Sequence, residues 1–424
     1  MTVTWRIRTR LTSYRFRWTE LHLELIFPPH FSATTENDIA ILLDQIEREE
    51  SSSHQDEALA RQDRYQLERL YPTYDRLYER NTQQITATKN LQRALQFALA
   101  CRGQLTMDLL IGAVDIDPNK DGEPNFNLTE SYMRRLASNF LVVDEDKMVH
   151  FAHVSVKEYL QYSEQKREIF SDTRTNIDIA ASCLTILVYQ HHKLIAIAGM
   201  KRSPRLTLGP GEGFLNYSAW NWGSHCARAG KNGRQESPLK RRFEQFMLGD
   251  DIGEAYLTWR AWAELSRWTI SIDSETSDPF WAACIWGFPE VVETVIRHRP
   301  KVLNTFTKLR QSGLHLASRY GHTDIATQLL AAGLYVNSRD TMRQTPLHIA
   351  CEWGHADVIQ VLLNEENRNL ELENRQGLTP WEVAAGNNHP KAMMLLDSAG
   401  ADTRDAMQMA FRKLDHYRGP DGLP

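Results

Sequence analysis

The sequence has few of the residues that interrupt helices, and few cysteines. Glycine and proline number 22 and 16 among 424 residues, which favours a helix-rich protein. The five cysteines form no C-x-x-C pair, so we expect neither a disulfide framework nor a zinc ribbon, and a reducing compartment fits best. A hydrophobic content of 42% is enough for real cores, and the length predicts about three domains.

Strong charge of one sign and long apolar runs are also lacking. The net charge of −5 gives no general attraction to nucleic acid or anionic membranes. The most apolar stretch, Ile179–Tyr189, is too short to cross a bilayer and predicts a buried helix. The N-terminus has no apolar secretory core, and its arginine-rich start alternates with the period of a strand rather than that of a transit helix. We therefore expect a cytoplasmic protein.

Catalytic signatures are missing as well. The sequence contains no GxSxG, HExxH, GxGxxG or EF-hand motif. His225 and Cys226 are adjacent, but neighbouring residues rarely face each other on a helix, so they do not predict a base and a nucleophile. We expect no enzyme activity, no cofactor and no metal site.

An internal repeat is present in the C-terminal third. The segment Thr345–Ala350 (TPLHIA) has related segments that begin at Ser312 and Thr379, at a spacing of about 33 residues, and a weaker copy begins at Asp278. The pattern closely resembles the ankyrin repeat over residues 277–403. The resemblance implies a solenoid of about four helix pairs that recognises a protein partner or ligand.

Each repeat carries residues suited to start and end a helix. Thr345 can cap the first helix, Pro346 suits its first turn, and Gly354 can end it in a left-handed conformation. Histidines recur along the repeats as a ladder rather than as converging ligands. Because a zinc site needs three or four ligands at one point, we expect these histidines to bond loop backbone instead. They are His315, His322, His348 and His355.

An aromatic ladder precedes the helix-ending glycines. It consists of Trp286, Tyr320 and Trp353, and Arg319 and Glu352 stand directly before the last two. These positions resemble the variable positions on the concave face of ankyrin repeats, and Trp, Tyr and Arg dominate protein–protein hot spots. The five residues are therefore the candidate protein-binding site. The alternative, which the sequence leaves open, is that the aromatic rings stack on one another and stiffen the solenoid.

Residues 91–163 predict a compact helical unit with a hairpin. Thr106 and Thr129 can cap two of its helices, and the polar turn 144–147 separates two short apolar strands. Three helices and a hairpin form the outline of a winged helix. Residues 104–118 contain aspartates and no Lys or Arg, and this composition disfavours DNA binding.

A second resemblance centres on Val149–Leu160 (VHFAHVSVKEYL). With Leu77–Arg80 and Phe214–Gly223, this segment is similar to the fungal NACHT-ankyrin proteins, relatives of animal NLR receptors. In that family it closes the winged helix that follows the nucleotide-binding NACHT module. The resemblance implies a winged-helix relay coupled to an ankyrin sensor, in NLR-like signalling or fungal non-self recognition.

The nucleotide-binding loop of that family is absent. The single Gly-Lys pair, Gly230–Lys231, is followed by Asn232 and lacks the upstream glycine. We therefore expect a non-enzymatic interaction protein, with association with itself or with NACHT-bearing proteins left open. Two alternatives remain: a subunit of a split NACHT ATPase whose nucleotide-binding partner acts in trans, and, more weakly, a winged-helix DNA binder.

The rest of the chain reads as helical connections. Loops and linkers are predicted over 201–237, and an amphipathic stretch over 238–270 is expected to pack against the first repeat. The cations of Lys240–Arg242 beside a Trp-rich face also fit a membrane surface, although Asp250, Asp251 and Glu254 disfavour it. The remaining predicted regions are a residual NACHT-tail or lid-like helical region at 1–90, a helical spacer at 164–276, and a capping helix with a tail at 404–424.

Overall fold

The computed structural model describes residues 71–190, 211–248 and 278–402. Within these ranges the protein is mainly helical, with 16 α-helices and 2 short strands, as predicted. The chain divides into two compact units, and residues 116–124 belong to the second together with the chain from 176 onward. The predictions for residues 1–70, 191–210 and 249–277 and for the capping helix at 404–424 lie outside the described residues.

The first unit consists of short helices around a hairpin. Buried Leu91, Leu95, Met133 and Phe140 form its core. Its elements are α1 (Tyr71–Asn81), α2 (Ile85–Ala100), α3 (Met107–Asp115), α4 (Glu130–Ala137), β1 (Leu141–Val143), β2 (Val149–Phe151) and α5 (Val154–Tyr162).

The predicted hairpin is confirmed. Strands β1 and β2 are antiparallel, and Val142 lies opposite His150. Asp144 closes the turn, because its carboxylate accepts the backbone N–H groups of Asp146 and Met148 at 3.0 and 2.8 Å. The cap predicted at Thr129 is also present, since its side chain accepts the N–H of Tyr132.

Three helices of the second unit precede the repeats: α6 (Asp172–Tyr189), α7 (Glu212–Arg234) and α8 (Leu239–Met247). The first four residues of α6 still belong to the first unit. The helix predicted at Ile179–Tyr189 is therefore confirmed. The loops predicted over 201–237 are wrong for 212–234, where α7 runs with one kink at Gly230 (φ 71°). The buried apolar face of α7, which includes Phe214, Leu215 and Trp222, outweighs the glycines.

The interpretation of Lys240–Arg242 as a cationic surface is wrong for Arg242. Its side chain is fully buried in the second unit and donates to the carbonyls of Pro118 and Lys120 at 3.2 and 2.5 Å. It also donates to the hydroxyl of Tyr189 at 2.9 Å. These acceptors satisfy a guanidinium that would otherwise be costly to bury.

Four helix pairs follow in the described C-terminal range. Each pair consists of an inner helix, the first, and an outer helix, the second. The pairs are α9 (Pro279–Trp286) with α10 (Pro289–His298), α11 (Gly313–Tyr320) with α12 (Thr323–Ala331), α13 (Pro346–Trp353) with α14 (Ala356–Leu363), and α15 (Pro380–Gly386) with α16 (Pro390–Ser398); a 3-10 turn covers Pro300–Asn304.

The inner helices begin and end as the sequence predicts. Thr345 accepts the N–H of His348, and the ring of His348 accepts the N–H of Thr345 in return, which completes a reciprocal cap. Glycine ends the first three inner helices in the left-handed conformation, as at Gly354 with φ 70°.

Gly223 of α7 lies where the helix meets the first pair. A Cβ atom built there would approach the ring of Trp286 to 2.4 Å. We predict that Gly223→Ala destabilises the second unit by about 1–3 kcal/mol, because the indole must move away from α7. Urea unfolding of the full chain measures the effect. The same substitution in a Trp286→Ala background is the control, because the indole that the Cβ atom would meet is then absent. An equal loss from Gly223→Ala in both backgrounds contradicts the steric explanation.

Candidate protein-binding surface

Two rows of histidines, which we call ladders, bond main-chain carbonyl groups of neighbouring repeats. In the first, His315 and His348 lie near the start of their inner helices and bond the loop before the next one, at Gln344 O (3.2 Å) and Leu378 O (3.1 Å). Because a carbonyl oxygen only accepts, Nε2 must carry the proton, and Nδ1 is the acceptor of the helix cap. The prediction that the histidines bond loop backbone is confirmed for this ladder.

Burial lowers the pKa of both His315 and His348 from 6.5 to about 4. Desolvation of the charged ring is the main cause, and the bonds to the backbone carbonyls oppose it only in part. Both rings are therefore neutral at pH 7. A neutral ring is what the geometry needs, since protonation of Nδ1 would remove the acceptor of the cap.

The second ladder bonds the ends of the inner helices. His322, His355 and His389 donate from Nε2 to Ile285 O, Arg319 O and Glu352 O at 2.9, 3.0 and 3.1 Å. Each acceptor lies in the preceding repeat, two residues before the glycine that follows its inner helix. The ladder therefore holds the main chain of two candidate residues, Arg319 and Glu352.

Each of these rings also lies directly against a glycine. A Cβ atom at Gly321 would meet His355 at 2.7 Å, and one at Gly354 would meet His389 at 2.5 Å. The glycine is thus required both for its positive φ and for the close approach of the ring.

Tyr320 and Trp353 are exposed at the ends of successive inner helices, with 43% and 48% of their surface accessible. The guanidinium of Arg319 lies 5.3 Å from the ring centroid of Trp353, within cation–π range. The ring of Tyr320 stacks on His322 at 6.4 Å. Within the part of the chain that the structure describes, Tyr320 and Trp353 make no ring contact with each other, so the alternative of stacked aromatic rings is not seen for this pair.

Glu352 joins the inner helix to the loop before it. Its carboxylate accepts the side-chain amide of Gln344 at 3.1 Å. The side chains of Arg319, Glu352 and Trp353 therefore form a continuous polar and aromatic surface with the loop that precedes α13.

Trp286 is placed differently from the other two aromatic residues. It is half-buried, and its ring packs against buried Trp222 of α7 with 4.9 Å between the centroids. The structure brings Arg319, Tyr320, Glu352 and Trp353 together and assigns Trp286 to the junction with α7.

That junction also contains a residue that the sequence did not indicate. Arg234 is buried and donates to Glu290 at 2.6 Å and to the carbonyls of Cys226 and Gly287 at 3.0 and 3.4 Å. It also lies 4.7 Å from the ring centroid of Phe288. The apolar contact expected between 238–270 and the first repeat is present at Phe243, whose ring meets Phe288 at 5.0 Å.

His225 and Cys226 are both buried inside the second unit. The two ring nitrogens of His225 bond Tyr217 and Asn176 at 2.8 and 2.7 Å. Burial raises the pKa of the Cys226 thiol, which disfavours the nucleophilic thiolate. The described residues contain no group of three or more His, Cys, Asp or Glu side chains that could hold a metal ion. None of the helices in the described ranges has both the length and the apolar character to span a bilayer.

Residues 314–406 match the family described as ankyrin repeats (3 copies). The match begins within α11 and leaves out the first helix pair, although that pair has the same capped start at Asp278 and the same left-handed glycine at Gly287. A comparison with curated proteins gives no match. The prediction of ankyrin repeats is thus confirmed over 314–406, and this part of the chain belongs to a fold that serves protein–protein interaction.

Proposed function

We propose that the protein is a non-enzymatic interaction protein that binds its partner through the exposed ends of the inner ankyrin helices. Arg319, Tyr320, Glu352 and Trp353 form the centre of the binding surface. The observation that carries the proposal is the exposure of Tyr320 and Trp353 on main chain that the histidine ladder holds in place. An anchor on a rigid support loses little conformational entropy on binding.

The first unit gives a second element to the proposal. Helices α2 to α4, the hairpin and α5 have the order of a winged helix, and the VHFAHVSVKEYL segment forms β2 and most of α5. We place the protein with the NACHT-ankyrin group on this resemblance, with the first unit as a relay in NLR-like signalling or fungal non-self recognition. The winged-helix order of elements supports this assignment, and the electrostatic composition of residues 104–118 speaks against DNA binding.

Replacing Trp353 with Ala tests the binding surface. Peptides selected on the immobilised full chain from a random 12-residue display library serve as probes. We expect Trp353→Ala to raise their dissociation constant at least 10-fold, since an anchor of this type contributes about 2 kcal/mol or more. The melting temperature should change little, because the ring is half exposed.

Met394→Ala is the matched control, because Met394 is an exposed apolar residue (67% accessible) on the outer helix α16. It should leave the dissociation constant unchanged. Equal affinities of Trp353→Ala and the unmodified chain, with folding intact, contradict the proposed site.

A further inference from the structure

Two arginines adopt a backbone conformation that favours glycine. Arg310 and Arg343 both have φ 57°, and they occupy the same turn in successive repeats. Each donates its N–H to the carbonyl three residues earlier, at Thr307 (2.8 Å) and Asp340 (3.0 Å). The corresponding residue of the next repeat is Gly377, with φ 71°. A left-handed non-glycine residue is uncommon and strained, and such residues point to a functional role for the side chain.

The loops that carry these arginines are joined into one surface. The N–H of Thr341 donates to Leu309 O at 2.8 Å, and the N–H of Arg375 donates to Met342 O at 2.9 Å. The loops before α11, α13 and α15, which we call the finger loops, therefore form a continuous row. Gln344 links this row to Glu352, and so to the binding surface described above.

The finger loops combine cations with apolar side chains. Arg310, Arg343 and Arg375 are exposed, and in the described chain none of the three has an ion-pair partner. Their exposed apolar neighbours are Phe306, Leu309 and Met342, at 44%, 43% and 46% accessible. On the loops before α11 and α13 the single acid, Asp340, is buried, whereas the loop before α15 has exposed Glu366, Glu371 and Glu373, so the excess of positive charge lies on the first two loops. In a chain with net charge −5 this concentration of positive charge is local.

We infer that the partner is an acidic protein segment with apolar side chains, whose carboxylates pair with Arg310, Arg343 and Arg375. The inference rests on the proposed function and names the chemistry of the partner. Arginine forms bidentate pairs with carboxylates, and the apolar residues of the segment contact the tips of the finger loops and Trp353. Nucleic acid could also pair its phosphates with the arginines, but it has few apolar groups to contact the exposed side chains of Phe306, Leu309 and Met342.

The test uses the same display library on the full chain. The enriched peptides should carry more Asp and Glu than the unselected library and should contain aromatic or aliphatic residues. The double variant R310G/R343G should raise their dissociation constant about 10-fold while its melting temperature stays the same or rises by about 2 °C, because glycine relieves the left-handed strain. The control R297A/K391A removes two exposed cations from outer helices α10 and α16 and should bind as the unmodified chain does.

The outcomes separate the two proposals. Peptides that depend on Trp353 but show no enrichment in Asp and Glu overturn the inference and leave the proposed function intact. Peptides that are insensitive to Trp353→Ala overturn the proposed function. A lower melting temperature of R310G/R343G would show that the arginines serve folding, and it would overturn the inference. Tighter binding of a 30-base-pair DNA duplex than of the enriched peptides would also overturn it.

Discussion

Lowering the pH from 7 to 5 is expected to destabilise the repeat stack by about 4 kcal/mol, through His315 and His348 alone. The pKa of each ring is about 4 in the folded protein and 6.5 in an ordinary environment. Between these values the unfolded chain binds more protons than the folded one. The stabilisation is therefore complete above pH 6.5 and is lost as the pH falls towards 4.

Hydrogen exchange across a urea series, followed in helices α11 and α13 of the full chain, measures this loss. The variant His348→Gln is the matched control, because a glutamine can accept the N–H of Thr345 as Glu382 accepts that of Thr379 at 2.8 Å in the next repeat. It should be less stable at pH 7, yet its stability should fall about half as steeply with pH. A pH dependence equal to that of the unmodified chain contradicts the assignment of His348 as a buried neutral ring.

Replacing Arg234 with Met is expected to cost about 3–5 kcal/mol of stability in the second unit. The substitution leaves Glu290 without its partner, and it removes the donor from the carbonyls of Cys226 and Gly287. The side chain of Arg234 is only 3% accessible, so water cannot readily replace these bonds. Urea unfolding of the full chain, followed by hydrogen exchange in α9 and α10, measures the loss.

A double variant separates electrostatics from packing. Adding Glu290→Gln to Arg234→Met neutralises the uncompensated carboxylate and should recover part of the lost stability. Glu290→Gln is also made in the unmodified chain. If it lowers the stability of the Arg234→Met variant as much as it lowers that of the unmodified chain, the two side chains are not coupled, and the ion pair does not hold α7 to the first helix pair.

The sequence was sufficient for features that depend on local chemistry. Thr345, Pro346 and Gly354 start and end a helix through contacts within a few residues, so their spacing predicts the repeat directly. The hairpin at Asp144 follows in the same way, because its carboxylate bonds N–H groups two and four residues away. The exposed aromatic residues Tyr320 and Trp353 could also be predicted, since the repeat period places them at equivalent positions.

The features that the sequence did not predict depend on distant contacts. Trp286 occupies the same repeat position as Tyr320, but α7 covers it, and Trp222 lies far upstream in the chain. Arg242 resembles a surface cation because its acceptors, Pro118 and Lys120, come from a separate segment of the chain. Neither periodicity nor composition carries information about such pairings.

The position of the bound partner is the central claim, and photo-crosslinking tests it most directly. Full-length protein that carries benzoylphenylalanine at position 353 is irradiated with a selected peptide, beside protein that carries it at position 394. We expect a covalent adduct from position 353 and none from position 394. An adduct from position 394 alone, or equal adducts from both positions, would show that the partner does not bind at the inner ankyrin helices.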